Sequence, residues 1–69
     1  MNDKSEALKR AIERTGGQAV FAKMIGITAQ AVSQWDEVPP LRVLEVERVS
    51  GVSRTELRPD LYPAEEVRA

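Results

Sequence analysis

The chain has 69 residues, enough for one small domain, with 42% hydrophobic and 30% charged residues, a globular composition. It holds neither cysteine nor histidine, which excludes disulfide staples, thiolate nucleophiles, Cys/His zinc sites and imidazole acid–base chemistry. Ten basic against eleven acidic side chains leave a net charge of −1, so the chain is no bulk polycation.

Glycine and proline divide the chain into helical segments, whereas strand signals are poor: three aromatics, no β-branched runs, no Asn-Gly or Asp-Gly turn. In the first segment Asp3 is placed to cap a helix, with Glu6 at capping-box spacing. Ala7, Leu8, Ala11 and Ile12 fall on one face, and Lys4, Lys9, Arg10 and Arg14 lie mostly off it. Gly16-Gly17 ends this helix. A second helix is predicted from Gln18 to Ile25, with Val20, Phe21, Met24 and Ile25 as its apolar positions and Gly26 as its stop. Thr28 suits the N-cap of a third, Ala29–Trp35, with Val32 and Trp35 inward.

Residues 36–40 read as a rigid link, with Pro40 in the first turn of a fourth helix that runs from Leu41 to Ser50. Leu41, Leu44 and Val49 take one side of it, Val43 and Val46 another, and Gly51 ends it. Ser53 to Glu56 is a second capping-box pattern, opening one short turn that Pro59 terminates. From Asp60 the chain is expected to run extended. The expected organisation is one all-α domain over residues 1–62 and a flexible tail over 63–69.

The segment from Gln18 to Trp35 carries the functional signal. Two helices crossing through a short turn need a small residue at closest approach, which Ala22 supplies, and a turn residue tolerant of positive φ, which Gly26 supplies. Phe21, Ile25, Ile27, Val32 and Trp35 form the apolar wedge. Left on the outside of the third helix are Ala29, Gln30, Ser33 and Gln34, with Thr28 at its start. Such short, uncharged groups suit a DNA major groove: glutamine pairs bidentately with adenine, hydroxyls meet several bases, and a methyl touches the thymine methyl. Plain packing and solvation are the competing readings. Gln30 and Gln34 also suit solvated surface, Ser33 suits a bond back to the carbonyl four residues earlier, and Trp35 shares a face with Val32.

Gln-Ala-Val-Phe-Ala at 18–22, Gly26-Ile27-Thr28, and Ala-Val-Ser-Gln-Trp at 31–35 resemble the helix-turn-helix of phage Cro and repressor-type regulators. The stretch from Glu45 to Arg54 and the Glu-Leu-Arg-Pro-Asp-Leu-Tyr run at 56–62 resemble the Cro-like, YdaS-type antitoxin branch. Residues 8–62 carry the resemblance. It implies a compact five-helix, lambda-repressor-like fold that binds a palindromic operator in double-stranded DNA as a homodimer and represses transcription. By position it implies that Gln18 caps the second helix against a phosphate, and that Thr28, Gln30, Ser33 and Gln34 contact bases.

Charge departs from that pattern. Residues 1–35 hold five basic and three acidic side chains, and residues 36–69 hold five and eight. Lys23 is the one lysine inside the helix-turn-helix, a candidate phosphate contact; Lys4, Lys9, Arg10, Arg14 and Arg42 add to it if they face the same side. Weak non-specific binding and a shallow salt dependence per monomer are expected. Because a core of this size supplies only about 3–5 kcal/mol net, self-association is expected as well. Val43, Val46, Val52, Leu57, Leu61 and Tyr62 are the candidates for that contact.

No pair of carboxylates sits at acid-and-base spacing and no glycine loop suits a phosphate-bearing cofactor, so an enzyme is not expected, nor a cofactor or bound metal. The longest apolar stretch, Ala19–Ala22, is too short to cross a membrane, and no charged-then-apolar leader appears, so a cytoplasmic place without membrane contact is expected. The alternative function is an antitoxin-like interaction module whose acidic C-terminal half binds a toxin or another regulator.

Overall fold

The computed structural model describes residues 4–63, and the described residues are helical with no strand. In chain order they form α1 (Lys4–Thr15), α2 (Gln18–Met24), α3 (Ala29–Ser33), a single 3-10 turn at Pro40–Arg42, α4 (Val43–Ser50) and α5 (Arg54–Leu57). The predicted cap Asp3 and tail residues 64–69 lie outside the described residues.

α1 is the spine. Its stripe of Ala7, Leu8 and Ala11 is buried, with Ile12 half-buried at the edge, and it packs against α2, α4 and α5. The core is completed by Phe21, Ala22 and Ile25, Val32, Val38, Val43, Val46, Val52 and Leu57.

Several expectations are corrected. α2 stops at Met24, and Ile25 is its C-cap. Val20 and Met24 are about half exposed. Of four apolar residues on adjacent ridges, a two-turn helix buries only the ridge that faces its neighbours, here that of Phe21, Ala22 and Ile25. α3 ends at Ser33, so Gln34 is its C-cap and Trp35 lies beyond the helix. The fourth helix starts two residues late because Pro39-Pro40 winds the chain into a 3-10 turn first. Leu41 is thereby thrown outward, 97% exposed, and Leu44 is half exposed.

The C-terminal half also differs. Val43, Val46, Val52 and Leu57, expected to be in excess of one core, are all buried within this single chain. They fill the space over α1, so they are not free to pair with a second copy; Tyr62 is half-buried against the same core and only Leu61 is exposed. The second capping box is split. Ser53 Oγ accepts from the Thr55 N–H at 3.1 Å, but Glu56 turns away to Arg10, 2.6 Å from its guanidinium. Glu47 replaces it from α4, accepting from the Arg54 backbone N–H at 3.0 Å and holding that guanidinium at 2.9 Å. Burial pushes the Glu47 carboxyl upward, but the Arg54 backbone N–H, side chain and charge together outweigh it and leave it lowered.

Beyond α5 the chain turns instead of extending. The N–H groups of Leu61 and Tyr62 both donate to the Arg58 carbonyl, and the Arg54 guanidinium lies 5.7 Å from the Tyr62 ring centroid. The Arg58 side chain is buried. Its Nη1 donates to the Val38 carbonyl at 2.8 Å, and Nε and Nη2 fork onto the two Asp60 oxygens at 3.1 and 2.8 Å. This bidentate geometry is the strong form of a charged hydrogen bond. It clasps the closing turn to the link ahead of α4.

The Arg58 hydrogen bonds hold the Asp60 carboxyl at about 2, against an ordinary 3.8. A folded-state value below the unfolded one adds stability that is complete above about pH 4 and is lost as pH falls through about 2. In urea unfolding, the gap between wild type and Asp60→Asn is expected to be full at neutral pH and to close across that window.

Candidate nucleic-acid interface

The angle between α2 and α3 is set from beneath. Phe21 is completely buried, and its ring meets Trp35 edge-on, with centroids 6.3 Å apart and planes at 90°. Trp35 therefore packs on the core, as its shared face with Val32 suggested. Ala22, 2% exposed, lies where a larger side chain would hold the helices apart.

The turn closes both ends of the crossing. Gly26 has φ of 77°, the left-handed region where a Cβ is penalised. Around it the Ile27 N–H donates to the Ala22 carbonyl at 2.9 Å and the Gly26 N–H to the Lys23 carbonyl at 3.2 Å, which satisfies the end of α2. Thr28 then caps α3, its hydroxyl accepting from the Ala31 N–H at 3.1 Å. A contact not anticipated from sequence joins the two starts: Gln18 Nε2 donates to the Ala29 carbonyl at 2.7 Å. The N-cap of α2 is Gly17, with no side-chain bond, so Gln18 clamps α3 rather than capping its own helix.

What this frame displays is a strip of uncharged polar groups. Thr28, Gln30, Ser33 and Gln34 are exposed, and Ala29 is half-buried between strip and core. Ser33 Oγ donates to the Gln30 carbonyl at 2.7 Å, one residue nearer than expected, and this leaves its oxygen lone pairs outward. Lys23 is exposed on the last turn of α2.

The basic residues sort into two groups. Lys4 is held by Glu37 at 3.0 Å and Asp60 at 3.7 Å, and Arg10 by Glu56. Arg42 is held by Glu45 at 3.1 Å and also donates to the Ile25 carbonyl. Lys9, Arg14 and Lys23 hold no carboxylate among the described residues. The sequence offered no sign of this division, because the partners lie up to 56 positions away, as Lys4 and Asp60 do.

Thr28→Ala removes the α3 cap and is expected to cost about 1 kcal/mol in thermal or chemical unfolding, whereas Thr28→Ser keeps the acceptor and costs a few tenths.

The family model described as bacterial toxin YdaS matches residues 8–66. The "Putative transcriptional regulator YdaS" of Escherichia coli (strain K12) is 30% identical over 69 aligned positions, covering 88% of this chain and 68% of that protein. No solved structure matches the chain. A match over most of the chain, together with that identity, places this protein in the YdaS family.

Proposed function

We propose that this chain is a sequence-specific DNA-binding transcriptional regulator, a Cro-like repressor with no enzymatic role. The observation that carries the reading is the strip on and beside α3: side chains that match base edges stand exposed, while the apolar residues beneath them are locked in the core. The name of the Escherichia coli relative supports a regulatory role.

In this mechanism α3 enters the major groove by its N-terminal end. Gln30 and Gln34 present amides to adenine edges, Thr28 and Ser33 present hydroxyls, and the Ala29 methyl meets a thymine methyl. Gln18 sets the pitch of α3 through the Ala29 carbonyl and keeps one N–H for the backbone, and Lys23 reaches a neighbouring phosphate. Two copies read a palindromic operator, their recognition helices about 34 Å apart, one helical turn. Residues 1–62 are the DNA-binding unit and 63–69 a tail, and the place of action is the cytoplasm.

The other reading, a module whose acidic half binds a toxin or a second regulator, is less well supported by charge. Among the described residues of that half, Glu37, Glu45, Glu47, Glu56 and Asp60 each already hold a basic side chain of the same chain, which leaves Asp36 to recruit a partner.

The test is selection from a randomised duplex library followed by titration. Gln30→Ala and Gln34→Ala are each expected to lose about 1–3 kcal/mol on the selected duplex, with little change on a scrambled one. Variants that keep full affinity and preference for the selected duplex would remove α3 as the reader.

A further inference from the structure

Of the α1 cations, Lys9 and Arg14 hold no carboxylate among the described residues, and of these two Lys9 is the one that lines a cleft beside α3. Lys4 and Arg10 are neutralised by Glu37, Asp60 and Glu56, whereas Lys9 is exposed and holds no carboxylate among the described residues. Lys9 also lines a cleft of about 220 Å³ between α1, the start of α2 and the end of α3. The same cleft is lined by Gln18, the clamp at the start of α2, and by Ser33 of the polar strip, with Ser5 one helical turn before Lys9. Asp36 lines the cleft too, at more than ion-pair distance from Lys9. An ammonium without a carboxylate partner is therefore held beside the edge of the polar strip, together with the one Gln18 amide N–H that the Ala29 carbonyl leaves over.

We infer that Lys9 is a DNA-backbone anchor: the cleft it shares with Gln18 and Ser33 seats a phosphate next to the bases that α3 reads. The inference rests on the DNA-binding reading above and adds to it a residue outside the helix-turn-helix. Its physical basis is economy of charge. With a net charge of −1 and five of the nine described cations held in internal pairs, a correctly placed free lysine supplies a large share of the phosphate neutralisation. A phosphate contact positions the protein without reading sequence, so its loss weakens all duplexes alike.

The experiment compares wild type, Lys9→Gln, Lys9→Arg and Arg48→Gln on the library-selected duplex and on its scrambled counterpart, titrated at several salt concentrations. Arg48 is also free of a carboxylate among the described residues but belongs to α4, outside the cleft, so it controls for bulk charge. Lys9→Gln is expected to weaken both duplexes by the same factor and to reduce the slope of log affinity against log salt by about 0.9. Lys9→Arg is expected to restore the slope, and Arg48→Gln to leave it unchanged. If wild type binds and Lys9→Gln keeps the full slope, or loses no more than Arg48→Gln, the anchor is disproved while DNA binding stands. If wild type binds neither duplex, the DNA-binding reading itself fails and the anchor with it. Circular dichroism of each variant confirms an intact fold, as expected for an exposed side chain.

Discussion

Phe21 has no exposed surface, and it reaches that state because the chain turns at Gly26, beyond the end of α2, and returns to bring Val32 and Trp35 over its ring. Phe21 is the largest fully buried side chain, so the α2–α3 crossing both contributes to the core and orients α3. Rotating α3 about its axis would expose Val32 and bury Gln30 or Gln34 without partners, and both changes are unfavourable. The polar strip thus faces outward because the opposite side is committed. Three short hydrogen-bonded features tune that arrangement: the glycine-closed end of α2, the Thr28 cap and the clamp from Gln18.

Electrostatics act on a second level. Exposed ion pairs contribute little individually, typically under about 1 kcal/mol. Their consequence here is selection. By pairing Lys4, Arg10, Arg42, Arg54 and Arg58 with carboxylates, the fold determines which positive charges remain to meet another molecule. A nearly neutral chain can thereby show a locally positive surface. Arg58 differs from the surface pairs, since its fork onto Asp60 and its bond to the Val38 carbonyl join segments 20 positions apart in a buried setting.

Periodicity made the helices legible, and glycine made their ends legible. The α1 stripe, the cap at Thr28 and the left-handed stops at Gly26 and Gly51 follow from local rules that tertiary context does not override. The family resemblance extended this to the five-helix arrangement. Less legible was which of two apolar ridges each short helix buries. Val20 and Met24 satisfy the same spacing as Phe21 and Ile25, and only the positions of the neighbouring helices decide between them. The 3-10 turn was hidden for a related reason, because Pro39-Pro40 announces a helix start without stating how tightly it winds. The exposed polar strip was readable on α3, where spacing fixes the face. The clamp from Gln18 and the fates of the cations were not, since each depends on a partner brought close by the fold.

The clasp at Arg58 gives the molecule a direction in time. During synthesis every helix of the Phe21 core leaves the ribosome before the turn that carries Arg58 and Asp60. Until that turn emerges, the Val38 carbonyl has no guanidinium donor, and the link into α4 is held by its packing and by the Lys4–Glu37 pair. The nascent chain therefore finishes as a belt does, with the buckle last: every buried core residue up to Leu57 precedes the side chain that fastens the link.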